Sequence, residues 1–176
     1  MKEVEVKILE VNTNDIEQKL TLLGAKKTFD GEIKALLFDF DNNSIRDNKK
    51  LVRLRSLGNK HFLTTKTPVS NEKAKVEEEH EIEVSDFDKT KLILESLGLK
   101  VVESVVKHRA SYLLNDVNFE FDKHLGEHSI IPEYLEIEAK DVETVYEYVS
   151  LLGLKKEQCS SMNSTEVYGY YKKKRE

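Results

Sequence analysis

Glu3-Val4-Glu5-Val6-Lys7 is the stretch on which the reading of this chain turns. In an extended strand successive side chains point to opposite faces. Glu3, Glu5 and Lys7 then share one face, and Val4, Val6 and Ile8 share the other. The apolar face calls for a core. The other carries two carboxylates and an ammonium within about 14 Å of strand. One such strand is accounted for by the wet face of an antiparallel sheet, but the pattern returns along the chain.

Leu51-Val52-Arg53-Leu54-Arg55 alternates in the same way, with both arginines on one face. His61 to Lys66 reads as its hairpin partner across Gly58-Asn59, with Pro68 ending it. In Glu79-His80-Glu81-Ile82-Glu83-Val84 the glutamates share a face. Val105 to Tyr112 aligns Lys107, Arg109 and Ser111, and Val117 to Asp122 sets Glu120 and Asp122 against Phe119 and Phe121. Leu135-Glu136-Ile137-Glu138-Ala139 repeats the acidic strand. With Leu36 to Phe40 these make about eight strands, a number that closes into a barrel.

A flat sheet with one charged face explains solubility but not the sorting of acids and bases onto separate strands. A barrel with a charged interior explains both. The expected fold is therefore α+β: a closed eight-stranded antiparallel barrel with helices outside. Those helices cover Val4, Val6, Leu54, Ile82, Val84, Phe119, Phe121 and Ile137. The first is capped by Thr13 or Asn14 and stripes Ile16, Leu20 and Leu23. The second is capped by Asp86 or Asp88 and carries Ile93, Leu94 and Leu97. The third carries Val142, Val145, Tyr146, Val149 and Leu152. Each ends at Leu-Gly, at Gly24, Gly98 and Gly153, so a Glu-x-Glu strand followed by a Leu-Gly-ended helix occurs three times. Glycine after the last turn is ordinary capping chemistry; paired carboxylates on a strand face are not. Glu157 to Tyr171 reads as a short helix and a tyrosine-rich segment, with a frayed basic tail at residues 172–176.

The 176 residues make one domain, residues 1–176. No apolar run spans a bilayer and no signal peptide opens the chain, so no membrane partner is expected. One cysteine, Cys159, excludes a disulfide framework and fits the cytoplasm. A net charge of -5 argues against a nucleic-acid partner. The histidines lack zinc-ligand spacing, and His61 and His108 fall on outward faces.

These residues together resemble the CYTH family, the triphosphate tunnel metalloenzymes, from Glu3 to about Tyr168. The family includes class IV adenylyl cyclases, thiamine triphosphatases and inorganic triphosphatases. Its Glu-x-Glu-x-Lys signature is matched by Glu3, Glu5 and Lys7, its Arg-x-Arg by Arg53 and Arg55, and its strand lysine by Lys66. Glu81 and Glu83 match the central Glu-x-Glu, Lys107 and Arg109 the Lys-x-Arg, Asp122 the late acid, and Glu136 and Glu138 the final Glu-x-Glu. The Tyr-Leu-Glu-Ile-Glu segment at residues 134–138 looks most like the class IV cyclase branch. That branch has an arginine before the central pair. Here Val76-Glu77-Glu78-Glu79-His80 stands there, with Lys75 as the nearest substitute. Ser164 to Tyr168 loosely matches a Ser-Tyr segment that closes the tunnel.

The resemblance implies a Mg2+- or Mn2+-dependent enzyme acting on a small-molecule triphosphate, and suggests a homodimer. Phosphoryl transfer is mostly positioning and charge neutralisation. Arg53, Arg55, Lys66, Lys107 and Arg109 are the expected phosphate contacts. Glu3, Glu5, Glu136 and Glu138, then Glu81, Glu83 and Asp122, are the expected metal ligands. Lys7 is either a base whose pKa its neighbours depress or another phosphate contact. Cyclisation of ATP to cyclic AMP and pyrophosphate, hydrolysis of a triphosphate, and non-catalytic polyphosphate or nucleotide binding remain as the readings.

Overall fold

The computed structural model describes residues 2–70 and 74–175. Its elements form two consecutive β-α-β-β-β halves. The first holds β1 (Lys2–Ile8), α1 (Thr13–Leu22), β2 (Lys26–Asp39), β3 (Leu51–Leu57) and β4 (Lys60–Ser70), with a one-turn α2 (Ser44–Asp47) between β2 and β3. The second holds β5 (Lys75–Val84), α3 (Phe87–Ser96), β6 (Lys100–Leu114), β7 (Val117–His124) and β8 (Tyr134–Ala139). Then follow α4 (Val142–Leu151), a two-residue β9 (Cys159–Ser160) and α5 (Ser164–Arg175).

The strands pair in the order β5-β4-β3-β2-β6-β7-β8-β1, and β1 pairs back onto β5, with every ladder antiparallel. This is the expected closed eight-stranded barrel, with helices outside. Closure removes every long sheet edge and gives the two faces separate environments. One apolar cluster lies between the barrel and helices α1 and α4: Val4, Val6, Phe119, Phe121 and Ile137 meet Ile16, Leu20, Val145 and Val149. Another joins Leu54, Phe38 and Val84 to Leu94 and Phe87 of α3. The third seats α5 through Val167 and Tyr171 on Ile131 and Tyr134.

The caps are Asn12, Asp86 and Asp141, each accepting a backbone N–H three residues on. Asn12 thus replaces Thr13 or Asn14 as the first cap. Gly153 sits at φ +75, a left-handed position that favours glycine. There Lys19 Nζ donates to the Leu152 carbonyl at 2.6 Å, so a lysine of α1 closes the C-terminus of α4.

Several expectations are corrected. Ile82 faces outward as read, but it lies outside the cluster that packs against α3 and is 62% exposed. Leu23, Ile93 and Leu97 are exposed, leaving single buried anchors such as Leu94. β4 continues through Pro68 to Ser70. Beyond Lys66 it has no β3 partner, so the missing proline donor breaks no ladder there. Part of the polar connector from Val69 to Lys75, residues 71–73, lies outside the described residues. The basic tail is helical to Arg175 rather than frayed, because Tyr171 Oη and Lys174 Nζ both bond Glu10, at 2.9 and 3.0 Å; Glu176 lies outside the described residues. His61 and His108 do face outward, on Ser56 and on Asp30.

Leu20 is fully buried and Leu22, on the same helix, is 88% exposed. Leu20→Ala should therefore cost about 2–5 kcal/mol, and Leu22→Ala within about 0.5 kcal/mol of nothing. Urea unfolding followed by circular dichroism checks both; equal losses would mean that α1 does not pack as described.

Candidate active site in the barrel interior

Residues directly opposite in an antiparallel ladder share a face, so the strand registers fix what lines the lumen. From β1 come Glu3, Glu5 and Lys7; from β8, Tyr134, Glu136 and Glu138; from β7, Asn118, Glu120, Asp122 and His124. β6 supplies Lys107, Arg109 and Ser111, β3 supplies Arg53 and Arg55, and β4 supplies Thr64 and Lys66. β5 supplies Lys75, Glu77, Glu79 and Glu81. The sequence-expected set is thus brought into one enclosure, apart from Glu83. Glu83 lies at the end of β5, 54% exposed, on an ion pair with Lys60 at 3.2 Å. The structure does not place it among the converging carboxylates.

The central acidic pair inside the barrel is Glu77 and Glu79, both buried. Lys75, two positions earlier on the same face, meets Glu77 at 2.6 Å and Glu5 at 3.2 Å. It stands where the resemblance expects a base before the acidic pair. The run Glu77-Glu78-Glu79 hides its own phase, because inward and outward positions are the same residue type. The alternation from Glu79 to Val84 sets that phase, and the pairing with β1 and β4 confirms it and brings Glu77 inside. Glu120 was legible from its alternation with Asp122. His124, 3% exposed and bonded through Nε2 to Tyr134 Oη at 3.1 Å, has no pattern that marks it as interior.

Inside, each cation is held by carboxylates. Lys7 Nζ lies 2.7 Å from Glu136 and 2.9 Å from Glu5. Lys66 lies 2.7 Å from Glu3 and 2.5 Å from Glu79. Arg109 grips Asp122 with Nε and Nη2, at 2.6 and 2.5 Å, and reaches Glu136 and Glu120. Lys107 also bonds Asp122. Arg55 meets Glu81 at 2.9 Å, and Thr64 Oγ1 donates to the same carboxylate at 2.6 Å. Burial pushes Lys7 down, but Glu136 and Glu5 more than offset it, and its pKa ends well above the ordinary lysine value. The depressed Lys7 expected from a neighbouring metal and cations is not what the protein's own groups produce: Glu136 and Glu5 dominate around it.

The compensation is uneven across the lumen. On one side cations are in excess. Burial, with Arg55 and Arg109 nearby, brings Arg53 down to about 10, and burial with Arg109 lowers Lys107. Among the described residues, Nε of Arg53 and Nε of Arg55 are buried without an acceptor. On the other side carboxylates are in excess. Burial and a hydrogen bond with Glu79 raise Glu3 to about 8, and burial with Glu120 raises Glu138 to about 7; burial also raises Glu120. Such clusters of displaced pKa values in an enclosure mark functional sites.

The all-oxygen donor set suits a hard divalent cation such as Mg2+ or Mn2+. Among the described residues no three of these groups stand ready around a common point; they are drawn instead onto the lysines. The surplus negative charge around Glu3, Glu120 and Glu138 is what a bound cation would relieve, and on that observation the residues fit the group.

A model of the CYTH domain family matches residues 1–170. A protein of Methanocaldococcus jannaschii, provisionally named an adenylate cyclase, is 26% identical over 96% of this chain and 99% of its own. A solved protein of Pyrococcus horikoshii is 29% identical, with a TM-score of 0.77 over 94% of this chain and 98% of its own. A Hippeastrum protein named for adenylyl cyclase, with a triphosphatase activity described as dominant, shares the fold at 15% identity and a TM-score of 0.66, over 96% of this chain and 95% of its own.

Glu138 gives a pH test. Its folded pKa of about 7 lies above the free value of 4.5, so the folded state holds a proton that the unfolded state has lost. The stability this confers is present below about pH 4.5 and is lost as pH rises through 7. Relative to the parent chain, Glu138→Gln should therefore gain stability steadily from about pH 5 to 7 and level off above. Metal-free urea titrations at several pH values measure the difference; a pH-independent difference contradicts the described environment.

Proposed function

The chain belongs to the CYTH domain family, and from that premise we propose that it is a divalent-metal-dependent enzyme acting on a triphosphate inside the barrel, by cyclising ATP to cyclic AMP and pyrophosphate. The observation that carries this reading is the uneven lumen, with unsatisfied guanidinium donors on one wall and surplus carboxylates on the other. A metal-laden polyphosphate complements both walls, whereas a bare anion or a bare cation complements one.

Arg53, Arg55, Lys66, Lys107 and Arg109 take phosphate oxygens in this reading, the arginines through bidentate forks. The buried Nε donors of Arg53 and Arg55, which have no acceptor among the described residues, gain phosphate oxygens in this reading. Glu3, Glu5, Glu136 and Glu138 hold Mg2+ or Mn2+, with Glu81 and Asp122 close by and Glu77, Glu79 and Glu120 joining the acidic wall. The metal supplies charge neutralisation on the phosphoryl oxygens. Lys7, locked as an ammonium between Glu5 and Glu136, is placed to contact a phosphate rather than to accept a proton. In cyclisation the ribose 3′-oxygen loses its proton to solvent and bonds the α-phosphorus as the bond to the bridging oxygen of the leaving pyrophosphate breaks. The chain's part is to hold those atoms in line and spread the developing charge.

Hydrolysis uses the same walls, with water in place of the ribose hydroxyl. The Hippeastrum protein, with this fold and a dominant triphosphatase activity, keeps it as the second reading. A binder without catalysis gains nothing from so many inward carboxylates. Among the described residues no helix is long and apolar enough to cross a membrane, and the single cysteine suits the cytoplasm.

Incubation with Mg2+ or Mn2+ and ATP, tripolyphosphate or thiamine triphosphate, followed by product analysis, separates the readings. Cyclic AMP with pyrophosphate is the expected result; orthophosphate from any of the three establishes the triphosphatase, and no turnover establishes the binder. Glu5→Gln should lower the activity by roughly two orders of magnitude or more while the chain stays folded. An active Glu5→Gln would remove Glu5 from the site.

A further inference from the structure

The helices α1, α3 and α4 are three copies of one unit. Their caps, Asn12, Asp86 and Asp141, and their closing glycines, Gly24, Gly98 and Gly153, align without a gap. Leu20, Leu94 and Val149 then coincide, and each is a buried anchor of its helix. The outer positions differ. Where α3 has Leu92, α1 has Gln18 and α4 has Glu147. Where α3 has Ile93, α1 has Lys19 and α4 has Tyr148, which is buried against Phe119. Where α3 has Leu97, α1 has the partly exposed Leu23 and α4 the fully buried Leu152. So α1 makes the first two positions polar, and α4 covers the second and third. α3 does neither: Leu92, Ile93 and Leu97 are 63%, 59% and 66% exposed.

The apolar face extends beyond the helix. Gly98 stands against the ring of Phe40, 3.9 Å from where an added Cβ would lie, and Val101 pairs with Phe38 close by. Phe40, Val101 and Val102 are exposed as well. With the three α3 side chains they present on the order of 500 Å2 of apolar surface, the size of a whole monomer's largest patch. Two such faces pressed together remove roughly 1,000 Å2 from water before any rim is counted, the lower bound of a specific interface.

The charges point to what covers it. Lys89, Ile93 and Leu97 are spaced four apart and lie along one flank of α3. A second α3 crossing antiparallel, with a two-fold axis at Ile93, sets Lys89 of each helix beside Leu97 of the other, because both lie four residues from the centre. The last turn of α3 carries no basic side chain, and the carbonyl end of a helix attracts a cation. The last turn of α4 has the same lack, and Lys19 of α1 supplies the cation there. Lys89 is exposed and meets only the edge of its own cap, Asp86, at 3.5 Å. We propose that the chain pairs with a second copy of itself through α3, with Ile93 on the two-fold axis, Leu92 and Leu97 beside it, and Lys89 at the C-terminal end of the facing helix. This interface lies on the outer wall and uses no lumen residue, so it is independent of what the barrel binds.

Sedimentation equilibrium of the full chain at micromolar concentrations should show a monomer–dimer equilibrium. Ile93→Glu, which sets two carboxylates face to face on the axis, should weaken it by about thirtyfold or more, and Lys89→Ala by about threefold or more. Leu22→Glu, an exposed position on α1, should leave it unchanged; thermal melting by circular dichroism verifies that each variant is folded. In a Cys159→Ser background, Ile93→Cys should cross-link into a dimer on mild oxidation and Leu22→Cys should not. A parent chain that stays monomeric overturns the pairing and leaves the face to a different partner. A dimer untouched by Ile93→Glu, or no cross-link through Ile93→Cys, puts the interface elsewhere and overturns it equally.

Discussion

Every charge turned into a closed barrel must find its counter-charge inside it. That constraint governs the rest of the structure. Moving an isolated ion into such an enclosure costs several kcal/mol after relaxation, so acidic and basic strands cannot be placed independently. Lys7 is tolerable because Glu5 and Glu136 flank it, and Arg109 because Asp122, Glu120 and Glu136 surround it. The ion pairs are consequently not stabilising ornaments on a barrel that would form anyway. They are the condition under which these particular strands can close, while the free energy of folding comes from the outer apolar clusters. This division explains why α1 and α4 carry large buried side chains such as Leu20 and Val149, while the lumen contains few.

Pairing inside the barrel is incomplete by design of the strand order. β3 and β6 bring arginines and lysines to the two sides of β2, while β1, β8 and β7 bring carboxylates together on the far wall. Glu3 and Glu138 end up with more negative neighbours than positive ones, while Arg53, buried, has Arg55 and Arg109 set against Glu79 and Glu81. A protein selected for stability alone would interleave these charges. Separation of this kind lowers the stability of the empty fold and is relieved only by something that is itself polarised, with cations toward one wall and anions toward the other. The same field that strains the empty barrel therefore preorganises it for a ligand.

The sequence made the architecture legible because period-two alternation is a local property. Glu3, Glu5, Arg53, Arg55, Lys107 and Arg109 each announce their face through their immediate neighbours, and three Leu-Gly helix ends punctuate the chain. What escaped depends on partners distant in sequence. Alternation puts Glu79 and Glu81 on one face and both do turn in, but that Glu77 also lies inside and Glu83 reaches out to Lys60 depends on β1, β4 and the strand end. Pro68 was read as a terminator because nothing local shows that β3 has already ended opposite Lys66. The carboxylate hold on Lys7 escaped for a related reason. Its neighbours in sequence are Glu5 and apolar residues, and only the β8 register brings Glu136 to it.

The uncharged inner face of β2, where Leu37 lies opposite Arg53 and Ile33 opposite Lys107, follows from the same electrostatic constraint, seen from the other side. Arg53 and Arg55 on one neighbour and Lys107 and Arg109 on the other are close enough to repel, and burial together with that repulsion lowers Arg53 and Lys107. A further cation on β2 would compound that repulsion, and a carboxylate there would neutralise the wall that phosphates need. Hydroxyl-bearing side chains escape both objections, and Ser111 on the neighbouring β6 and Thr64 one strand further round show that the lumen uses them. That β2 instead presents Ile33, Ala35 and Leu37 is therefore not forced by charge alone. Aliphatic side chains beside unpaired guanidinium donors raise the cost of hydrating those donors, strengthening their hold on any anion that replaces the water.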